Sequence, residues 1–279
     1  MNYILFNPLS GHGKSAERAA KISADCKDAS ILVDMTSVDY SELFSKVTAD
    51  DPVTILGGDG TLNRFINDTA GIEIASKIFY YPSGTGNDFF ADIAEDEPSE
   101  PVEITEYLKD LPTVSLEGKE YKFINGVGYG IDGYCCEVGD KMHDEGKVPN
   151  YTAIAIKGLL FHFKPRNATV MVDGEEKTYK KVWIAPAMFG KHYGGGMIPT
   201  PEQSRTASTK KLSLMVFHGS SKLKTLMIFP SIFKGAHVKN TKYVEVIEGR
   251  EITVKFDAPT SLQIDGETHL NISEYTAKI

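Results

Sequence analysis

The stretch from Val53 to Asn63, VTILGGDGTLN, gathers residue types suited to phosphate chemistry. Gly57, Gly58 and Gly60 fall within four positions, which lets the backbone take φ > 0 and lets a ligand approach the main chain. A helix opening directly after them would offer unpaired N–H groups and a partial positive charge to a phosphate. Thr61 is placed to cap that helix, and Asn63 to reach a phosphate or a ribose. Asp59 is the odd member. A carboxylate beside a phosphate is repelled unless a cation or a proton lies between them, which points to Mg²⁺ or to a hydroxyl nucleophile close by. The plain alternative is a tight turn with Asp59 solvated and Asn63 a helix-surface amide.

Two further loops have the same character, Asn7–Gly13 and Ser83–Asn87. Gly13-Lys14-Ser15 has the end of a P-loop, but the first glycine of that motif would fall on position 8, which is Pro8. Gly11-x-Gly13-x-x-Ala16 with Asp34 resembles a dinucleotide fingerprint, yet Asn-Pro-Leu-Ser separates the strand from the first glycine. Lys14, next to the first loop, could touch a phosphate or stand as a solvated first-turn cation, and Asn87 and Asp88 read as ordinary helix caps. Asp-Gly-Glu occurs twice, at 173–175 and 265–267; turn chemistry favours a hairpin at both and ranks neither. His12, His192 and His218 have no partner visible in the sequence.

The elements that must position these residues follow from hydrophobic periodicity. Tyr3–Phe6, Ser30–Val33, Val53–Leu56 and Lys77–Tyr81 read as short buried strands, each followed by a helical pattern. This βαβαβαβα order predicts a mostly parallel sheet covered by helices, with all three glycine loops at carboxyl ends of strands, where open α/β sheets bind ligands. The acidic Glu95–Glu103, with two prolines, reads as a solvated connection. Beyond it the pattern is strand-like at Lys119–Val127, Asn167–Val172, Lys180–Ala187, Lys211–Phe217, Tyr243–Ile247, Glu251–Phe256 and Ser261–Ile264. Helical segments near Tyr151–Phe163 and Leu223–Phe233 interrupt this largely antiparallel half. The expected division is 1–115 as an α/β nucleotide-binding domain and 116–270 as a β-rich substrate domain, with 271–279 free to return to the first.

Composition sets the outer bounds. The length of 279 residues suits one large or two ordinary domains, and 41% hydrophobic with 24% charged content is that of a globular protein. A net charge of −8 gives no global positive field, so nucleic acid is not expected as a main partner, though a local basic patch stays open. Cys26, Cys135 and Cys136 form no CxxC pair and no disulfide framework, which suits a reduced, cytoplasmic compartment. The first residues lack the basic and apolar regions of a signal peptide, and no apolar run approaches the roughly 20 residues of a membrane span. Tyr151–Arg166 and Lys222–Lys239 each set cations around an apolar centre; either could rest on an anionic bilayer, or pack as a core helix with solvated ends.

Four ordered segments carry a family resemblance: Asn7-Pro-x-Ser-Gly11, Gly57-Gly-Asp-Gly-Thr-Leu-Asn63, Pro82-x-Gly-Thr-Gly-Asn-Asp-Phe89 and Gln263-Ile-Asp-Gly-Glu267. Together they resemble the catalytic domain of diacylglycerol kinases and related bacterial lipid kinases. Sphingosine and ceramide kinases are similar, and NAD kinases and phosphofructokinases share the GGDG element more distantly. Phe123–Asp132 and His192–Gly196 resemble segments of the family's second domain, so the likeness spans nearly the whole chain. It implies an N-terminal parallel-sheet α/β domain and a C-terminal antiparallel β-sandwich-like domain carrying extra helices, with ATP and substrate between them. It also implies a kinase using ATP and Mg²⁺ on a lipid hydroxyl, cytoplasmic and peripheral to the inner face of the membrane, with a homodimer left open. The family's nucleotide contacts map onto Asn7, Ser10, Gly11, Thr36, Gly57, Gly58, Asp59, Gly60, Thr61, Asn63 and Thr85. The catalytic acid/base falls on Glu267, and Asp59 corresponds to the Asp at the reacting hydroxyl in the sphingosine and NAD kinases. One departure stands out. Many bacterial members carry an Asp-Gly pair before the strand matching Leu212–Phe217, where the Asp helps hold a structural Mg²⁺; here Ala207-Ser-Thr-Lys-Lys211 has no acid. The metal ligands therefore remain unassigned. Two other activities are compatible with a nucleotide pocket: a soluble-substrate kinase of NAD-kinase type, and a regulatory nucleotide binder without transfer. Glu267 and Asp59 argue against the second, and the QIDGE segment and long β domain against the first.

Overall fold

In a computed structural model, which describes residues 1–8, 10, 13–26, 28–84, 86–94 and 98–279, the chain divides into two units, Met1–Leu111 and Pro112–Ile279. In the first, apolar runs become β1 (Asn2–Phe6), β2 (Ser30–Asp34), β3 (Val53–Gly57) and β4 (Ile78–Pro82), with the short β5 (Val102–Glu103). The order is β2-β1-β3-β4-β5; the first four strands are parallel and β5 runs antiparallel beside β4. β3 lies at the centre, with Val53, Ile55 and Leu56 fully buried, as expected for a strand covered on both faces. The connecting helices are α1 (Ser15–Asp25), α2 (Tyr40–Lys46), α3 (Asp59–Asp68) and α4 (Asp88–Ile93). α2 opens on Asp39, whose carboxylate accepts from the Glu42 amide, and packs Tyr40 and Phe44 edge-on against Phe65 of α3.

The second unit is built on an antiparallel sheet. Its strands are β6 (Thr113–Leu116), β7 (Lys119–Lys122), β8 (Gly126–Tyr129), β9 (Arg166–Val172), β10 (Glu175–Val182), β11 (Ala187–Met188), β12 (Leu212–Phe217), β13 (Val244–Gly249), β14 (Glu251–Ile264) and β15 (Glu267–Lys278). They run in the order β13-β12-β11-β8-β14-β15-β6-β7, with β9 joining β14 to β10. Helices α5 (Ile131–Asp144), α6 (Tyr151–Lys157) and α7 (Lys222–Ile228) belong to the same unit. α6 runs on into a π-helical turn, Gly158–His162, and α7 into a 3-10 turn, Phe229–Lys234. Their inner faces close a core around Trp183, Phe163, Phe217, Leu159, Ile228 and Ile232.

Several expectations are corrected. Lys119–Val127 is not one strand: β7 and β8 are separated where the amides of Ile124, Asn125 and Gly126 turn to the Asp265 carboxylate. Lys180–Ala187 covers the end of β10 and the start of β11, broken between Val182 and Ala187, with a register shift around Lys181, which takes φ 53°. Glu251–Phe256 and Ser261–Ile264 are one long strand, β14, with register shifts against β15. The segment 271–279 does not return to the first unit. It continues β15, where Thr276–Lys278 pair with Thr113–Ser115; that pairing also draws Thr113 and its neighbours into the second unit, ahead of the expected boundary at 115.

Candidate functional site

The glycine loops after β3 and β4 pack directly on each other. A Cβ at Gly84 would lie 2.5 Å from the Gly58 Cα, and one at Gly58 would lie 2.8 Å from the Gly86 carbonyl oxygen. Gly58 has φ −103° and ψ −170°, extended backbone open to any residue. The expectation that its glycine supplies a left-handed turn is therefore corrected: glycine is required there for backbone-to-backbone contact. The Gly57 carbonyl accepts from the Tyr80 hydroxyl at 3.0 Å and the Ser83 amide at 2.9 Å, and a Cβ at Gly57 would strike Thr61. The helix opens one turn earlier than expected. Gly58 is the N-cap of α3, and Thr61 is a buried third residue of the helix rather than its cap.

Asp59 is buried at the junction of the two loops. Its Oδ2 accepts from the Asp88 amide at 2.8 Å and its Oδ1 from the Phe89 amide at 3.0 Å, while its own amide donates to the Gly86 carbonyl. Both oxygens thus cap α4 from outside, because Asn87, at the N-cap, turns its side-chain amide to the Gly84 carbonyl instead. Asn63 is also buried, and its Oδ1 accepts from Asn67.

The first loop is held in the same way. The Ser10 hydroxyl donates to the Asn7 carbonyl at 2.8 Å and lies 2.6 Å from the Ser15 hydroxyl, tying the loop to the start of α1. Arg18, one turn along α1, donates to the Ser83 carbonyl at 2.8 Å, so the outer loops share a clamp. After β2 the Thr36 hydroxyl and amide both donate to Asp34, which holds that carboxyl below the usual range. Gly11 and Thr85 lie outside the described residues. Asn7, Ser10, Gly57, Gly58, Asp59, Gly60, Thr61 and Asn63 come together at the carboxyl ends of β1 and β3, and Thr36 at the end of the neighbouring β2.

In the second unit, Glu267 opens β15 directly after a tight turn in which Asp265 has φ 47° and Gly266 φ 96°. The Asp265 carboxylate accepts three backbone amides, from Ile124 at 2.6 Å, Asn125 at 2.8 Å and Gly126 at 2.9 Å. Arg205, buried, holds the other side of that segment by donating to the Ile124 carbonyl and the Asn125 Oδ1. Gln263 accepts from the Gly266 amide at 2.6 Å. Glu267 itself is partly buried and acts electrostatically on the Cys136 thiol and the His269 imidazole. Burial pushes that thiol up, and burial also pulls the imidazole down.

Asp132, in the first turn of α5, was not singled out from sequence. It is fully buried, and burial raises its carboxyl to about 6 although the Gly133 and Asp132 amides, Tyr193 and Gln263 oppose the shift with hydrogen bonds. A Cβ at Gly128 would overlap this carboxylate and the Gln263 amide, so the bare strand makes room for both. The available signal was the run Gly126-x-Gly128-x-Gly130, whose missing side chains leave a polar slot against β8.

Residues 2–114 match the family model described as the diacylglycerol kinase catalytic domain, and residues 125–276 match the YegS C-terminal NAD kinase beta sandwich-like domain. The chain belongs to the diacylglycerol kinase catalytic-domain family. A diacylglycerol kinase of Mycobacterium tuberculosis strain ATCC 25618 / H37Rv is 28% identical over 284 residues, covering 94% of this chain and 87% of that protein. Two structures from Bacillus anthracis strain Sterne share the fold. One has TM-score 0.69 at 17% identity, covering 99% of this chain and 91% of its own. The other, of a diacylglycerol kinase, has TM-score 0.61 at 16% identity, covering 99% and 93%. As a diacylglycerol-kinase-family member the protein is a phosphotransferase of the lipid-kinase group. No helix among the described residues is long and apolar enough to cross a membrane.

This family member has no cluster of three His, Cys, Asp or Glu side chains among its described residues that would cage a metal ion. At the family's structural-Mg²⁺ position, Lys211 lies 3.6 Å from Glu248 and its carbonyl accepts from Gln203. The stretch 207–211 supplies no acid, and the charges of Lys210 and Lys211 repel a cation, so this stretch does not itself fit a protein-held Mg²⁺.

Proposed function

We propose that the protein transfers the γ-phosphoryl group of ATP to a hydroxyl of a diacylglycerol-like lipid. The observation that carries the reading is the pair of family matches, in order, over 2–114 and 125–276. The name of the Mycobacterium relative supports the acceptor class.

Phosphoryl transfer asks the protein mainly for positioning and charge stabilisation. The first-turn N–H groups of Gly60 and Thr61 in α3 hold the ATP phosphates, with Asn7, Ser10, Gly11, Thr36, Asn63 and Thr85 around the nucleotide. Ser10 and Thr36 act through the loops they brace, since their hydroxyls are engaged with Asn7, Ser15 and Asp34. Glu267 accepts the proton of the acceptor hydroxyl, a contribution of roughly 10²–10⁴-fold. Asp59 has both oxygens on the α4 amides, so its role in this reading is to hold the glycine loops together. Mg²⁺ arriving on the ATP phosphates supplies further charge neutralisation. The reaction takes place at the cytoplasmic membrane surface, where the lipid is.

Steady-state ADP release with dispersed lipids tests the reading. Glu267→Gln is expected to lower turnover by at least roughly 10²-fold with ATP affinity within a few-fold, while Glu175→Gln in the other Asp-Gly-Glu turn changes nothing. Turnover with NAD and none with any lipid would replace the lipid by a soluble acceptor; an unimpaired Glu267→Gln would remove Glu267 from the mechanism.

A further inference from the structure

The two basic, apolar segments separated by more than fifty residues in sequence form one surface. α7 packs against the π-helical turn that follows α6, and Lys222 donates to the Leu160 carbonyl at 3.1 Å. The inner faces of these helices enter the core through Ile154, Leu159 and Ile228. Their outer faces remain apolar. Phe161 is 72% exposed, Leu223 71% and Met227 68%, with Ile156 and Leu160 also exposed. An amphipathic helix of a globular protein normally turns a polar face outward, so large apolar side chains on both faces call for a partner.

Charge identifies the partner. Residues 151–166 contain Lys157, Lys164 and Arg166, and residues 221–239 contain Lys222, Lys224, Lys234 and Lys239; neither stretch contains an Asp or a Glu. This occurs in a chain with 38 acidic and 30 basic residues. A second copy docked on the same face would bring two such cationic sets together without a compensating acid, which disfavours a self-complementary contact. Protruding apolar side chains ringed by lysines are what an interfacial helix presents to anionic headgroups and the acyl boundary beneath them. The net charge of −8 does not prevent this, because screening confines each field to about 8 Å at physiological salt.

We infer that the outer face of the α6–π-turn–α7 assembly docks on an anionic phospholipid bilayer, with Phe161, Leu223 and Met227 inserted and Lys157, Lys222 and Lys224 at the headgroups. The choice of a bilayer rests on the lipid-kinase reading above. The experiment is co-sedimentation with phosphatidylcholine vesicles with and without phosphatidylserine, alongside phosphorylation of a short-chain diacylglycerol dissolved without vesicles. Phe161→Ser/Met227→Ser is expected to weaken partitioning roughly tenfold or more, and Lys157→Glu/Lys224→Glu to remove the phosphatidylserine dependence. Val246→Ser, at an exposed apolar position on β13, leaves binding unchanged. Short-chain turnover stays at the wild-type level in all three. Equal sedimentation of wild type and patch variants overturns the docking face. So does a wild type that ignores both vesicle types, or a shift from dimer to monomer in the patch variants without vesicle binding. Wild-type binding that the patch variants lose, in a protein that phosphorylates no lipid, would support the docking face and sink the lipid-kinase reading alone.

Discussion

Asp59 tests whether a carboxylate beside a glycine loop serves chemistry or architecture. Asp59→Ala would leave the buried Asp88 and Phe89 amides without their acceptors. Each orphaned buried donor costs about 1–3 kcal/mol, so the variant should lose about 2–6 kcal/mol. That is a large share of the roughly 5–15 kcal/mol that stabilises a typical domain, and Asp59→Ala stands at the margin of folding. Asp59→Asn is the working variant. It keeps one acceptor and sets an NH₂ group against the other amide, for an expected loss of about 1–3 kcal/mol. Urea unfolding followed by circular dichroism reads the stability, and hydrogen exchange at the amides of 88–90 reads the cap itself. Calorimetric ATP titration should show weaker binding, since α4 and the loop packed on Gly58 loosen together. A general base would behave differently: Asn would change stability by less than about 0.5 kcal/mol, leave ATP affinity intact and lower turnover. Unchanged unfolding together with unchanged protection at Asp88 and Phe89 would refute the capping role and return Asp59 to the chemistry.

The loop packing makes a second prediction: Gly84→Ala should be more damaging than Gly58→Ala, costing about 1–3 kcal/mol and weakening ATP binding, because its Cβ meets backbone at 2.5 Å rather than 2.8 Å. Equal, wild-type-like calorimetric titrations would show that the loops separate freely. A third concerns Asp132, whose carboxyl is raised to about 6 from 3.8 by burial. The neutral form is favoured on folding, so this contribution is fully present below about pH 4 and is lost as pH rises through about 6, by up to about 3 kcal/mol. Asp132→Asn should flatten the stability profile across that window in urea titrations; an unchanged slope would mean that the carboxyl titrates normally.

Much of the first unit was legible because its punctuation is local. Short apolar runs ending in Gly, Pro, Asn and Asp mark strand ends whatever the rest of the chain does. α5 was not legible. Its sequence, IDGYCCEVGDKMHD, carries two glycines that weaken any helical expectation. The structure shows their use: a Cβ at Gly133 would lie 2.0 Å from the Ser261 carbonyl oxygen, and one at Gly139 would lie 2.7 Å from the Tyr151 ring. The helix gives up intrinsic propensity to press close against β14 and α6, a trade visible only once those partners are placed. β15 was hidden for a related reason. Asn271 takes φ 61° where the register with β14 shifts, so alternation is broken midway through the strand.

The same distinction separates the two Asp-Gly-Glu turns. Residue types alone could not rank them, and the structure shows why: both aspartates do the same work. Asp173 grips the amides of Arg250 and Glu251, and Asp265 grips those of Ile124, Asn125 and Gly126. In each, the Asp-Gly pair takes the left-handed turn and the aspartate carboxylate anchors a distant strand or loop. What differs is the third residue's surroundings. Glu175 stands exposed, where a carboxylate has nothing to act on. Glu267 is partly buried, beside Cys136 and His269, and follows a turn whose amide is held by Gln263, itself bonded to the buried Asp132. Asp59 and Asp265 are thus both acids whose charge is absorbed by backbone amides, whereas Glu267 lies where a structural anchor has already been supplied by its neighbour two residues earlier. In the proposed reading that anchor is what fixes Glu267 in place, because an acid/base must be held in position by its surroundings.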